Sequence, residues 1–237
     1  MAYQYTVATI VKVLDETETT KRFFFKFPDD YEFTHSAGQF VMIDLPIAHK
    51  YTNRAYSIAS APSDDNIIEL CIVLNPKGVG TPYMWENYVE GDEVMVTKAL
   101  GKFSLPEEID RDLCFICTGT GIAPLRAMLL DILNKNIPHK NIYMIFGTRY
   151  KKDILYWEEM RNLMSEHAEF QFIPVLSREQ DWDGEKGYVH WIYEKIFSDK
   201  RPAYFYLCGW KDMLNESRNR LVELGYDKKF IKFESYD

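Results

Sequence analysis

"LCFICTGTGIAPL", Leu113 to Leu125, is the stretch whose reading decides the fold. Five apolar residues run up to Thr118, Gly119 and Gly121 follow one residue apart, and Pro124 stands where a helix begins. A short unbroken apolar run ending at glycine reads as a strand buried on both faces. The glycines permit a tight turn, and proline suits the first turn of the helix expected over "PLRAMLLDILNK". Free amides at such a helix start face an anion, so Thr118, Gly119, Thr120 and Gly121 are expected to hold a phosphate. The third glycine of the usual dinucleotide fingerprint is missing, and proline occupies its neighbourhood.

Outward from this unit, the second half repeats its style. Apolar strands "NIYMIFGT", "FQFIPVL", "AYFYLCG" and "FIKFES" alternate with helical patterns in "DILYWEEMRNLMSEH" and "DMLNESRNRLVELG". That alternation predicts a Rossmann-like α/β domain with a parallel sheet, its ligands at the carboxyl ends of the strands. The first half differs: "YTVATIVKVLD", "KRFFFKFP", "QFVMIDL", "RAYSIAS", "IIELCIVL" and "DEVMVTKAL" are short strands separated by turns, as in an antiparallel β-barrel or sandwich. Two domains follow, 1–108 and 109–237, with the division near Ile109.

Composition narrows the class. The 237 residues are 46% hydrophobic and 27% charged, as in a folded globular protein. A net charge of -8 argues against a general nucleic-acid binder, and no apolar run is long enough for membrane insertion. Cys71, Cys114, Cys117 and Cys208 lie in apolar runs and suggest no disulfide framework, so a cytoplasmic protein is expected. Cys114 and Cys117 form a C-x-x-C, but residues three apart on a strand point to opposite faces, which predicts two unlinked buried thiols. The five histidines have no metal-ligand spacing and most of them read as surface or loop residues, so no metal is expected. Trp157 and Trp191 fall in helical patterns and read as packing residues.

Four further motifs stand in order around the opening stretch: "RAYSIAS" at Arg54 to Ser60, "KGVGTPYMW" at Lys77 to Trp85, "LCGW" at Leu207 to Trp210, and "KFESYD" from Lys232 to the end. Taken together, and with "AGQFVMIDLP" at Ala37 to Pro46, they resemble the ferredoxin–NADP reductase family of flavoproteins over nearly the whole chain. The resemblance implies a flavin held by the N-terminal barrel, with Arg54 on its phosphates, where a permanent guanidinium pairs well with phosphate oxygens. It places Ala55 and Tyr56 along the isoalloxazine and the Ser57 hydroxyl at the flavin N5. Gly78, Val79, Gly80 and Thr81 would offer amides and a hydroxyl to the flavin pyrophosphate at a helix start, with Cys71, Ile72 and Val73 lining the flavin nearby. The segment between Cys71 and Lys77 lacks the tyrosine that some relatives stack on adenine; FAD is still expected over FMN.

On the nicotinamide side, "LSREQDWDGEKGYVH" is similar to the family segment that receives the 2′-phosphate of NADPH. Ser177 and Arg178 would bind that phosphate, and Lys186 and Tyr188 would close around the adenosine; NADPH is expected over NADH. Cys208 and Gly209 would border the nicotinamide. Glu234, Ser235 and Tyr236 reproduce a Glu-x-Tyr ending, followed here by Asp237. Tyr236 would cover the flavin face, and Glu234 would accept or pass a proton near Ser57. In "TKALGKFSLP" the family's Gly-Pro before Gly-x-Phe is absent.

The resemblance therefore implies a flavin-dependent oxidoreductase that moves hydride between NADPH and FAD, with Ser57, Cys208, Glu234 and Tyr236 as the catalytic set, and electrons passing singly to or from a protein acceptor. No Cys-rich segment occurs in the 237 residues, so ferredoxin or flavodoxin is expected as a separate acidic partner, docking on Lys50, Arg54, Lys77, Lys98 or Lys102. A reductase component of an oxygenase, a free-flavin reductase, and a non-autonomous electron-transfer subunit of a larger complex remain the alternatives.

Overall fold

In the computed structural model, which describes residues 3–48 and 52–236, six antiparallel strands precede a six-stranded parallel sheet. His49, Lys50 and Asp237 lie outside the described residues. The first six strands are β1 (Tyr5–Thr17), β2 (Thr20–Lys26), β3 (Phe40–Asp44), β4 (Asn53–Ser57), β5 (Ile67–Val73) and β6 (Glu93–Thr97), in the spatial order β4-β3-β6-β1-β2-β5. A bridge between Ile58 and Leu70 joins the two ends of that order and closes the sheet into a barrel. Period-two burial explains the strands: in β2, Phe23 and Phe25 point inward between the more exposed Arg22, Phe24 and Lys26. Helix α1 (Gly80–Asn87) follows β5 and buries Met84 in the barrel core.

The parallel sheet contains β7 (Asp112–Thr118), β8 (Ile142–Thr148), β9 (Phe170–Leu176), β10 (Glu185–Lys186), β11 (Ala203–Gly209) and β12 (Ile231–Ser235), ordered β10-β9-β8-β7-β11-β12. Helices α2 (Ile122–Asn134) and α3 (Trp157–Glu166) cover one face, and α4 (Val189–Ile196) and α5 (Lys211–Glu223) the other. Residues 112 to 117 of β7 are buried without interruption, as a strand packed on both sides must be. Cys114 and Cys117 lie in the cores of opposite faces, and all four cysteines are free. The strand order reverses between β7 and β11, which places the ligand crevice at the ends of those two strands. Ala37, Ala59, Cys71 and Phe103 of the barrel half share one apolar cluster with Leu125, Met128 and Leu129 of α2, so the two halves are packed together.

One histidine is an exception to the surface reading, and one tryptophan reading needs correction. His190 is buried, because α4 turns it inward beside Tyr193 and Ser217. Trp191 is exposed, because the same helix buries its neighbours Val189, His190, Ile192 and Tyr193 and leaves position 191 on the outer face. No described helix is long and apolar enough to cross a membrane, and no group of metal-ligating residues occurs among the described residues.

Candidate active site

β7 delivers Gly119 to Gly121 as a single 3-10 turn leading into α2, with Gly119 at φ 52. A side chain on Gly121 would place its Cβ 2.3 Å from the Cys208 carbonyl oxygen, so this glycine lets the start of α2 pack directly on the end of β11. That close approach is the task of a fingerprint's third glycine, performed here by the second. Among the described residues, and apart from its chain neighbours, only the Trp210 indole comes within 4 Å of a Cβ built on Gly119, so the loop faces open space. The Thr118 hydroxyl is engaged, accepting a hydrogen bond from the Trp210 amide at 3.1 Å, while Thr120 stays partly exposed.

The four residues expected to be catalytic come together where β4 and β12 meet the end of β11. Ser57 Oγ donates to Glu234 Oε1 at 3.0 Å, a contact between residues 177 apart in the chain. Tyr236 comes close to both Ser57 and the Cys208 thiol. Glu234 pairs with Cys208 in the β11–β12 register. Burial raises the Glu234 pKa above the ordinary carboxylate value, partly opposed by the Ser57 hydrogen bond. Burial likewise pushes the Cys208 thiol far up, so it stays protonated and unreactive as a nucleophile. Tyr236 as a whole retains 40% exposure.

On the barrel side, Arg54 and α1 converge. A Cβ on Gly80 would sit 3.0 Å from Arg54 Nε, so the guanidinium packs against the first turn of α1, whose starting amides receive no side-chain cap. A cation set beside free helix amides fits a diphosphate. Gly78 and Val79 lead into this turn, but the Thr81 hydroxyl closes the 75–81 loop by accepting the Asn75 amide at 2.8 Å. Tyr56 is held by a hydrogen bond to Met84 Sδ at 3.5 Å, and burial raises its phenol to about 12. Ala55 is exposed on the same strand. Cys71 and Ile72 are buried, whereas Val73 reaches the surface.

Ser177, Arg178, Lys186 and Tyr188 gather at the ends of β9 and β10. The Ser177 amide donates to Thr148 O and that of Arg178 to Arg149 O, both at 3.0 Å, and Lys186 Nζ donates to Gln180 O at 2.9 Å. Tyr188 is exposed against Trp191. An open hollow of about 730 Å³, lined by Tyr150, Lys151, Lys152, Ile154, Trp157 and Glu179, lies beside this loop and away from Ser57.

Two residues missing from the sequence reading connect these groups. The Arg149 guanidinium lies 5.3 Å over the ring of Trp210, and Trp210, 59% exposed, stands above the Gly119 turn. A cation one residue past the apolar run of β8, and an aromatic directly after Gly209, were the available signals.

Residues 7–105 match an oxidoreductase FAD-binding domain and residues 115–219 an oxidoreductase NAD-binding domain. The chain is 28% identical over 233 residues to the phenol hydroxylase P5 protein of Acinetobacter pittii, covering 97% of this chain and 65% of that protein. It is 28% identical over 238 residues to ferredoxin–NADP reductase B of Sorangium cellulosum, covering 97% of each. Among solved structures it superposes on the Amycolatopsis cytochrome P450 reductase GcoB with a TM-score of 0.90 and 26% identity, covering 100% of this chain and 71% of that one.

Proposed function

Because the chain belongs to the ferredoxin–NADP reductase family of flavoprotein oxidoreductases, we propose that it catalyses hydride transfer between NADPH and FAD and exchanges electrons with a protein acceptor such as ferredoxin or flavodoxin. The observation that carries this reading is the meeting of Ser57, Glu234, Tyr236 and Cys208 between the FAD-binding and NAD-binding halves. Bound FAD supplies the chemistry that links a two-electron hydride to one-electron transfers.

The chain's own residues bind, orient and move a proton. Arg54 and the amides of Gly78 to Thr81 would hold the flavin pyrophosphate, and Tyr56 and residues 71–73 would border its ring. The Gly119–Gly121 turn takes the nucleotide pyrophosphate under Trp210, and Arg149 joins Ser177 and Arg178 as a third group for a 2′-phosphate, which favours NADPH over NADH. Lys186 and Tyr188 border the adenosine, and Gly209 leaves room for the nicotinamide. Ser57 would present its hydroxyl to the flavin N5, and Glu234, whose pKa burial raises, would exchange a proton through that hydroxyl. Tyr236 shields the site from water until nucleotide displaces its ring. The same reading divides the chain at 108/109 and, from its four free cysteines, sets it in the cytoplasm.

Delivery of electrons to an oxygenase component is the second reading, favoured by the likeness to the phenol hydroxylase protein and the P450 reductase. The deciding experiment reconstitutes the protein with FAD and titrates it anaerobically with NADPH and NADH in turn, then offers ferredoxin, an oxygenase component or free flavin. A yellow protein bleached first by NADPH and reoxidised by ferredoxin is expected. A chain that takes up no flavin overturns the proposal, and preferential reoxidation by the oxygenase component selects the second reading.

A further inference from the structure

The two halves meet a second time, just beyond the strand that carries Ser57. Arg126 lies in α2, five positions beyond Gly121, and is only 5% exposed. Its Nε and Nη2 each donate to the Glu159 carboxylate of α3 at 2.6 Å. Its Nη1 donates to the Ala59 carbonyl at 2.6 Å and to Glu69 Oε2 at 3.2 Å. Glu69, 3% exposed in β5, also receives two bonds from Arg22 of β2, at 2.6 and 3.1 Å, and one from the Tyr156 hydroxyl at 2.8 Å.

Tyr156 binds the cluster together. Its ring lies 4.3 Å from the Arg126 guanidinium and 4.8 Å from that of Arg22, and its amide donates to Glu16 of β1 at 2.5 Å. Its φ of 55 is the left-handed region, unusual for a bulky side chain and tolerated only where the surroundings fix it. Burial works to raise the Glu69 pKa, but the Arg126 charge and the Arg22 hydrogen bonds outweigh it, so the carboxylate remains ionised.

Well-packed apolar residues often stabilise a protein as much as a buried ion network does. What a guanidinium fork adds is direction, because it fixes planes and distances bidentately. The two ends of this network are informative. Ala59 stands two residues beyond Ser57, and α2 begins at the Gly119–Gly121 turn. One side chain therefore spans from the wall that would hold the flavin to the helix that would hold the nucleotide.

We propose that the Arg126–Glu69–Tyr156 cluster is a positioning latch, which sets the separation of the Ser57 strand and the nucleotide turn and so the overlap of the two rings. Arg126 touches neither ring; it acts through Ala59 and α2. The inference rests on the hydride-transfer reading above.

Arg126→Met and Arg126→Lys, made in the full FAD-loaded chain, test it. The readouts are stopped-flow flavin bleaching at saturating nucleotide, nucleotide affinity, and the long-wavelength absorbance of stacked nicotinamide and flavin. Hydrogen exchange at 58–60 and 122–126 is followed in the flavin-free chain. Since a misplacement of about 1 Å costs about 100-fold, bleaching should slow by about 10-fold to 100-fold while affinity changes by less than about 3-fold. The stacking absorbance should fade, and both segments should exchange faster. Unaltered bleaching and absorbance in either folded variant overturns the latch, as does a rate loss matched by an equal loss of affinity. Failure of both variants to fold assigns the cluster to stability alone and also overturns it. A parent protein that neither nucleotide bleaches instead removes the hydride-transfer reading, which separates the two failures.

Discussion

The two contacts between the halves are built on opposite terms. At the latch, Arg22 and Arg126 share the buried Glu69 and are further paired with Glu16 and Glu159. At the candidate active site, a serine–glutamate hydrogen bond and a half-exposed tyrosine on the last residue described hold the halves together. Rigidity and reactivity are thus placed apart: the seam fixes geometry, and the site keeps groups that can release one another when a ring enters.

The largest effect expected from this contrast is on stability. Glu69→Ala leaves the buried Arg126 guanidinium and the partly buried Arg22 guanidinium without their shared carboxylate, and should cost about 3–5 kcal/mol, read from the denaturant midpoint. A loss below about 1 kcal/mol, the value typical of an exposed pair, would erase the difference between the two contacts. Ser57→Ala should do the reverse. Hydride transfer falls by about 100-fold in single-turnover bleaching, while the midpoint moves by no more than about 1 kcal/mol.

Tyr236→Ala sharpens the comparison from the mobile side. With the ring removed, the nicotinamide has nothing to displace, and nucleotide affinity should rise by about 10-fold, equivalent to about 1.4 kcal/mol. Unchanged affinity in a direct titration would show that Tyr236 is not a cover. The smallest effect concerns Glu234. Its pKa is raised by burial, so its favourable contribution to folding is present at low pH and is lost as pH rises through that raised value, above the ordinary 4.5. Glu234→Gln should therefore gain on the parent in melting temperature as pH climbs through that window, and lose the gain below it. A gap that narrows with rising pH would contradict a buried, proton-holding carboxyl.

How much of this was legible in the sequence follows from the range of each interaction. The Gly119–Gly121 turn, the apolar run of β7 and the alternation in β2 are local patterns, and the strands formed where those patterns predict them. Ser57 and Glu234 stand in short motifs, so each was visible, although their 3.0 Å contact was not. The latch had no local signal. Arg126 sits in an otherwise apolar helix, 57 residues from Glu69 and 33 from Glu159, and Tyr156 occupies a run whose helical pattern hides a left-handed residue just before α3. Trp191 was misread for a related reason: α4 is only eight residues long, and its buried face could be assigned only once the sheet beneath it was known.

The central claim is that two rings, one held by each half, exchange a hydride directly. Anaerobic single-turnover bleaching of the FAD-loaded protein, with NADPH deuterated at C4 on one face and then on the other, tests it most directly. Slowing by one stereoisomer and not the other is the predicted result. Bleaching that is insensitive to both, or slowed equally by both, would contradict a fixed stack of the two rings.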